Sequence, residues 1–169
     1  NTALAKAIMG IAQKRSVPKL ASKTLEKWNK KRNVNANVVK QSQKTVYLFN
    51  DEFTNYYDVE IGKDAIFVLE KLGYTVEMLD HKESGRSFIS KGFLKEAKVV
   101  CDENIAIFKE VITEETPLIG IEPSAILTFR DEYLRIASDK KAAKELSENC
   151  FTVEEFLNNE HQKGNIDTT

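Results

Sequence analysis

The sequence predicts an α/β domain with three layers, in which helices flank a parallel sheet and a basic helical arm precedes the sheet. From residue 45 onwards, β-rich runs alternate with amphipathic helical patterns. The connections between these segments are short, and strand–helix–strand units of this kind form right-handed crossovers in a parallel sheet. We place the boundary between the arm (residues 1–44) and the α/β domain (residues 45–169) at Lys44.

The charge distribution supports this boundary. Residues 1–44 carry eleven basic side chains and one acidic one, a net of +10, while the other fourteen basic and twenty-five acidic side chains give residues 45–169 a net of −11. Such asymmetry is typical of an arm that binds nucleic acid or a membrane, or that lies against an acidic domain. The arm has one tryptophan and no RNA-binding signature, and its acidic neighbour would repel phosphate, so we expect no nucleic-acid partner.

The arm contains two helical patterns. Leu4, Ile8 and Ile11 recur at helical spacing, and the pattern stops before Pro18. Thr24 is placed to cap a second helix that carries Trp28, and residues 33–42 read as a linker. A membrane-surface role for the first helix is weakly supported, because the helix is short and its polar face is not strongly basic.

In the α/β domain the apolar spacing predicts three strands and four helices. Gly73 stands where a helix C-cap glycine belongs, and Thr152 is placed to cap the last helix. The predicted strands cover residues 45–49, 74–79 and 117–121, and the longer helices cover residues 62–72, 90–112 and 124–136.

Ligands of open parallel sheets bind outside the carboxyl ends of the strands, which here points to the loops at residues 50–57, 80–90 and 122–125. No glycine-rich phosphate loop is present, which argues against a dinucleotide or ATP domain. His81 could be a general base or a metal ligand, but a solvated turn with Gly85 at positive φ is favoured. Arg86 could bind an anion or pair with a carboxylate, and Glu122 is placed to cap a helix.

The two cysteines are too few for a disulfide framework or a four-thiolate metal site. Cys101 and Cys150 lie in apolar surroundings, and we expect both to be core residues in a reducing compartment. No apolar run reaches the roughly 18 residues of a membrane-spanning helix. We therefore expect a cytoplasmic protein without an integral membrane segment.

The three loops carry residues that resemble a known family. The segments are Phe53-Thr54-Asn55-Tyr56-Tyr57 with Glu60-Ile61-Gly62, Ser84-Gly85-Arg86 with Ser90-Lys91-Gly92, and Glu122-Pro123-Ser124 with Arg130-Asp131-Glu132-Tyr133. They resemble the cysteine-rich CCG domains found in the iron–sulfur component of glycolate oxidases and in heterodisulfide reductases. The closer resemblance is to the C-terminal portion of FAD-linked oxidases of the D-lactate and D-2-hydroxy acid dehydrogenase type.

This resemblance implies a parent protein with FAD, a ferredoxin-like segment with 4Fe–4S clusters, and peripheral membrane association through that parent. The family places cysteines where this chain has Glu83-Ser84-Gly85, Ala125 after Ser124, and a position near Glu52. Because thiolates hold iron–sulfur clusters, we expect the chain to bind no cluster of its own. The degenerate site would comprise the loop residues Glu52, Glu83, Ser84, Gly85, Arg86, Glu122, Ser124 and Ala125.

Two functions follow for the chain. The first is a structural or docking domain that packs against the flavin and ferredoxin-like segments of a 2-hydroxy acid oxidoreductase, inactive by itself. The second is a stand-alone α/β module that binds a small ligand at its carboxyl-edge loops. A third hypothesis concerns the degenerate site alone: the carboxylates of Glu52, Glu83 and Glu122 would line a retained pocket for Mg²⁺, Ca²⁺ or Mn²⁺.

Overall fold

A computed structural model describes residues 3–16, 18–35 and 44–166. Four parallel strands form one sheet in the order β2-β1-β3-β4. The strands are β1 (Thr45–Phe49), β2 (Thr75–Glu77), β3 (Leu118–Gly120) and β4 (Cys150–Thr152). The helices are α1 (Ala3–Ile8), α2 (Leu25–Asn35), α3 (Glu52–Tyr56), α4 (Val59–Lys71), α5 (Arg86–Ser90), α6 (Leu94–Phe108), α7 (Pro123–Arg130), α8 (Glu132–Ile136), α9 (Lys140–Glu148) and α10 (Val153–Gln162).

Helices cover both faces of the sheet, as the sequence predicts. Alternate residues of β1 point to opposite faces, so that Val46 and Leu48 pack with Ile66 of α4, whereas Phe49 packs with Phe108 of α6. The first face is covered by α2, α4 and α10, and the second by α6, α7, α8 and α9. The three-layer α/β architecture is therefore confirmed.

The strand order creates a switch point in the middle of the sheet. The chain runs from β1 outwards to β2 and then crosses back over β1 to β3 and β4. In doubly wound sheets the crevice beside such a reversal, outside the carboxyl ends of the strands, is where ligands bind. The reversal lies between β1 and β3, whose carboxyl ends lead into α3 and α7.

Several local predictions are confirmed. Gly73 follows α4 with φ of 93°, in the left-handed region that a C-terminal cap requires. Thr152 caps α10, and its side chain and that of Glu155 form a reciprocal capping box. In the arm, the Thr24 hydroxyl accepts a hydrogen bond of 3.3 Å from the Lys27 amide at the start of α2.

Other boundaries differ from the prediction. The helix expected over residues 90–112 is α6, which covers only Leu94–Phe108 and begins after Gly92, whose φ of 79° is in the left-handed region. The helix expected over residues 124–136 is broken at Asp131 into α7 and α8. The strand expected over residues 74–79 is only Thr75–Glu77, and the sequence prediction missed α3, α5, α9 and β4 altogether.

The two helices of the arm differ in how they pack. Leu25 of α2 is fully buried among residues of the first face, so α2 is part of the folded core. In contrast, α1 buries none of its residues, and its Leu4 and Ile8 are exposed. The predicted linker falls largely outside the described residues, and the division of the chain at residue 44 stays a prediction.

Candidate functional site

The candidate site lies at the carboxyl ends of β1, β2 and β3, where the three loops singled out from the sequence leave the same edge of the sheet. Asp51 fixes the first loop by capping α3. Its Oδ1 atom accepts hydrogen bonds of 2.8 Å and 2.9 Å from the amides of Phe53 and Thr54, and its Oδ2 atom accepts one of 2.6 Å from the Thr54 hydroxyl. This cap sets the direction of Glu52, the first residue of α3.

The carboxylate of Glu52 contacts the second loop. It accepts a hydrogen bond of 3.0 Å from the amide of Ser84 and another of 2.7 Å from the Ser84 hydroxyl. Ser84 is fully buried, so both of its donors depend on this carboxylate. The structure therefore joins the loops after β1 and β2 through a direct side-chain clamp, which we call the Glu52–Ser84 clamp.

A buried polar network fastens the second loop to the helices beneath it. Asn104 of α6 donates to the carbonyl of Glu83 at 2.9 Å and to the hydroxyl of Tyr133 at 3.0 Å, and it accepts a hydrogen bond of 3.0 Å from the Lys82 amide. The Tyr133 hydroxyl in turn donates to the carbonyl of Ser84 at 3.0 Å. Burial raises the pKa of Tyr133, so its hydroxyl stays protonated as a donor.

Gly85 and Arg86 complete the second loop. Gly85 has φ of 75° and precedes α5, which confirms the predicted positive φ. The amide of Arg86 donates to the Ser84 hydroxyl at 3.1 Å, and its guanidinium pairs with the carboxylate of Glu132 at the start of α8. Of the two roles considered for Arg86, the structure shows the carboxylate pair.

The third loop is closed on itself. One carboxylate oxygen of Glu122 accepts hydrogen bonds from the amide of Ser124 at 3.2 Å and from its hydroxyl at 2.7 Å, which caps α7 as the sequence predicts. Ala125 is fully buried. The side chain of Ile126 packs directly on Gly120, where there is no room for a Cβ atom.

His81 has a structural role that the sequence did not reveal. Its Nε2 atom accepts a hydrogen bond of 3.1 Å from the Asn50 amide, and its Nδ1 atom lies 2.7 Å from the Lys82 carbonyl, to which it therefore donates. The ring stacks on Phe49 at 4.4 Å between centroids. Burial lowers the pKa of His81, although the Lys82 carbonyl and nearby carboxylates oppose the shift. Both ring nitrogens of this neutral imidazole are engaged, which leaves neither for metal binding or proton transfer.

A cavity of about 230 Å³ opens beside the clamp. Glu52 and Glu83 line it together with His81, whereas Glu122 does not. Burial, and next the charge of Glu52, raises the pKa of Glu83. Within residues 3–16, 18–35 and 44–166, no group of three or more His, Cys, Asp or Glu side chains is placed to hold a metal ion. The predicted trio of carboxylates is thus not assembled at one point.

The two cysteines are not residues of the three loops. Both are buried in the core of the second face, as predicted. Burial raises the pKa of Cys101 to about 12 and also raises that of Cys150, whose thiol donates to the Leu146 carbonyl at 3.1 Å. Burial therefore disfavours the thiolate form of both side chains.

A larger cavity, of about 670 Å³, lies at the opposite edge of the sheet. It contains the buried carboxylate of Glu160, which accepts hydrogen bonds from the Tyr74 hydroxyl at 2.6 Å and from Asn165 at 2.9 Å. Burial alone would raise the pKa of Glu160, but these donors and the charges of Lys44 and Lys163 lower it. The carboxyl ends of the strands point away from this cavity, so it does not occupy the usual ligand position of α/β sheets.

The chain resembles parts of known dehydrogenases. It is 28% identical over 96 residues to D-2-hydroxyglutarate dehydrogenase of Haemophilus influenzae, a match that covers 57% of the chain and 9% of that protein. For the enzyme of the same name from Escherichia coli K12, the identity is 30% over 93 residues, which is 55% of the chain and 9% of the relative. One component of the anaerobic glycerol-3-phosphate dehydrogenase of Escherichia coli K12 is 28% identical over 142 residues, 82% of the chain and 35% of that component.

These matches concern a segment of each relative. The chain is similar to part of a dehydrogenase. It spans about a tenth of the length of the D-2-hydroxyglutarate dehydrogenases and about a third of the glycerol-3-phosphate dehydrogenase component. No protein-family model matches the chain, and no solved structure matches it. The similarity supports the predicted relationship to oxidoreductases. The predicted relationship to CCG domains, and the FAD and iron–sulfur clusters implied for the parent protein, stay predictions.

The helices of the described residues are short or polar by the standard of membrane proteins. None of them combines the length and the apolar character that crossing a membrane requires.

Proposed function

We propose that the chain is a domain of a larger oxidoreductase, dependent on flavin and iron–sulfur clusters, that oxidises a 2-hydroxy acid. The similarity to two kinds of dehydrogenase over as much as 82% of the chain carries this proposal. In the parent protein, FAD bound to another segment would take the electrons from the substrate. The substrate class comes from the resemblance to glycolate and D-lactate oxidising proteins, and the name of the D-2-hydroxyglutarate relatives supports it.

The candidate site does not fit an iron–sulfur cluster. Clusters are held chiefly by cysteine thiolates. The resemblance puts the family's cysteines at Glu83 and Ser84, at Ala125 and near Glu52, where this chain has no cysteine. The carboxylate of Glu52 is occupied by both donors of Ser84, and Ala125 is buried. Cys101 and Cys150 are in the core with raised pKa values. No electron-transfer step is therefore assigned to this domain.

The remaining role is structural. The clamp, the Asn104 network and the pair of Arg86 with Glu132 hold the first two loops in place, and the Glu122 cap holds the third. The cavity of about 230 Å³ is smaller than typical small-molecule sites, which measure about 300–1,000 Å³. This favours docking against the flavin and ferredoxin-like segments over the alternative of a stand-alone ligand-binding module. Such a domain would act in the cytoplasm, and it would associate with the membrane only through its parent protein.

The absence of a cluster is tested by chemical analysis. The chain is purified anaerobically, incubated with iron and sulfide, desalted and analysed for both elements, with a ferredoxin carried through the same steps as the positive control. We expect well under one iron atom per chain, whereas about four iron and four sulfide per chain would show that a 4Fe–4S cluster is held without the loop cysteines.

A second experiment tests the parent protein. The chain, tagged in its native host, is purified after mild cross-linking, and the product is assayed for flavin and for dye reduction with D-lactate, glycolate and D-2-hydroxyglutarate. We expect about one flavin per tagged chain, in the same polypeptide or in one cross-linked to it, with activity towards one of these acids. Recovery of the chain alone, without flavin or activity, would refute the assignment.

A further inference from the structure

The larger cavity, of about 670 Å³, lies within the size range of small-molecule sites, about 300–1,000 Å³. It opens where the strands begin, and the residue that precedes each strand lines it: Tyr74 before β2, Lys44 before β1, Pro117 before β3 and Asn149 before β4. Helix α10 contributes Glu160 to the same cavity. The cavity is therefore a concave surface built from separate segments of the fold, and it is distinct from the candidate site.

One carboxylate oxygen in this cavity has no hydrogen-bond donor. It belongs to Glu160, whose side chain is only 9% exposed. The Oε2 atom accepts hydrogen bonds from Tyr74, from Asn165 and, at 3.5 Å, from Lys44. The Oε1 atom receives no hydrogen bond from any residue that the structure describes, and the Lys163 ammonium lies 3.7 Å from it, beyond hydrogen-bond distance. Oε1 is therefore open to the cavity.

The open oxygen carries negative charge at neutral pH. Burial acts to raise the pKa of Glu160, but the hydrogen bonds from Tyr74 and Asn165 outweigh it and lower that pKa. Among the described residues that line the cavity, four are glutamates and two are lysines, which gives a net charge of −2. The net charge stays negative even when the pairing of Glu148 with Lys144 is included. A cation is therefore attracted to this cavity and an anion is repelled.

Aromatic rings form a wall beside the open oxygen. Tyr74 and Phe156 contact each other edge to face, with 5.1 Å between their ring centroids, and both are almost fully buried. Phe151 lines the same cavity and is partly exposed. Because the Tyr74 hydroxyl donates to Glu160 at 2.6 Å, this wall begins next to the carboxylate. A ligand that matches both features has a cationic donor at one end and an apolar body.

We propose that this cavity binds a small organic amine, whose ammonium group donates to Oε1 of Glu160 and whose apolar body packs on the aromatic wall. A charge-assisted hydrogen bond is stronger than one between neutral groups, which favours an ammonium over a hydroxyl. A hard metal cation is less suited, because it takes six or more oxygen ligands and a single carboxylate oxygen is open here. The proposal goes beyond the oxidoreductase assignment and does not depend on it.

The test is a titration of the isotopically labelled full chain with small probes, followed by the chemical shifts of its backbone amides. Benzylamine is the amine probe, benzyl alcohol its neutral analogue and benzoate its anionic analogue. Each is added up to about 10 mM at neutral pH, which covers millimolar dissociation constants. We expect benzylamine to shift the amides around the cavity and to bind about tenfold more tightly than either analogue. Methylamine, which lacks the apolar body, should bind several-fold more weakly than benzylamine.

Two variants change the site in opposite directions. Glu160→Gln keeps an acceptor for Tyr74 but loses the charge, and it should weaken benzylamine binding about tenfold. Lys163→Gln removes the ammonium nearest to the open oxygen and should strengthen binding about threefold. Glu96→Gln and Lys95→Gln make the same charge changes at exposed positions of α6 that do not line the cavity, and should leave the affinity unchanged. Circular dichroism spectra check that every variant is folded.

Three results would overturn the proposal. The first is a benzylamine titration that shifts no amide around the cavity. The second is benzyl alcohol or benzoate binding as tightly as benzylamine, because the charge of Glu160 would then not select the ligand. The third is a pair of cavity variants that behave like their controls on α6, because binding would then not depend on the open oxygen.

Discussion

We expect the Glu52–Ser84 clamp to make a measurable contribution to stability. In Glu52→Ala, the amide and the hydroxyl of the fully buried Ser84 lose their shared acceptor, at 3.0 Å and 2.7 Å. A hydrogen bond to a charged group contributes about 1.5–3 kcal/mol, and a buried donor left unsatisfied costs about 1–3 kcal/mol. Because Glu52 is only partly buried and water can reach its cavity, we take the low end and expect a loss of about 2–3 kcal/mol.

Urea unfolding followed by far-ultraviolet circular dichroism measures this loss as a shift of the midpoint at constant slope. For a chain of this size the same loss lowers the melting temperature by about 4–12 °C. Ser84→Ala keeps the amide bond to Glu52 and should cost about 1 kcal/mol. The double variant should cost less than the sum of the two single variants.

Glu110→Ala, at an exposed position just beyond α6, is the matched control and should change the free energy of unfolding by less than about 0.5 kcal/mol. A loss in Glu52→Ala no larger than in this control would show that the clamp does not stabilise the fold. Additive effects of Glu52→Ala and Ser84→Ala, without any coupling, would also contradict the prediction, because the two side chains would then not depend on each other.

Three further predictions concern the core and its buried polar groups. Burial acts to raise the pKa of Glu160, but the hydrogen bond from the Tyr74 hydroxyl outweighs it and favours the ionised carboxylate. The ionised carboxylate therefore stabilises the fold fully above a pH of about 4.5, the value for an unfolded glutamate. This stabilisation is lost as the pH falls through the lowered pKa of the folded state. Glu160→Gln should therefore flatten the acid limb of the unfolding free energy measured against pH. Asn104→Ala leaves the Lys82 amide without its acceptor and should cost about 2–3 kcal/mol in urea unfolding. Gly120→Ala inserts a Cβ into the side chain of Ile126 and should cost about 1–3 kcal/mol by the same assay, whereas an unchanged midpoint would mean that α7 shifts freely.

The sequence predicted those elements whose signal is local. The continuous apolar run predicts β1, and the apolar residues at helical spacing predict α4. Thr152 and Glu155 form a capping box within four residues, which marks the start of α10. The short strand β4 was missed, since Cys150-Phe151-Thr152 is too brief to show alternation and pairs with β3 more than thirty residues away. The break at Asp131 was missed because the apolar spacing of α7 continues into α8.

The site was predicted as a set of loops but not as a set of contacts. Because the carboxyl ends of parallel strands lie at one edge of a sheet, the sequence was enough to predict that the loops of Glu52, Ser84 and Glu122 share that edge. It could not show that Glu52 reaches Ser84 while Glu122 turns back to its own helix, since this depends on the registers of the strands and on the caps of α3 and α7. The role of His81 likewise depends on the Asn50 amide, which lies 31 residues away.

The Glu52–Ser84 clamp bears on the predicted resemblance of these loops to cluster-binding loops. A loop that holds a metal cluster is fixed by strong metal–sulfur bonds, and without them its buried backbone donors need other partners. In this chain the donors of Ser84 are satisfied by Glu52, and the carbonyls of Glu83 and Ser84 by Asn104 and Tyr133. Side-chain contacts thus fix the loops after β1 and β2, and a fixed loop geometry is what the proposed docking role would require.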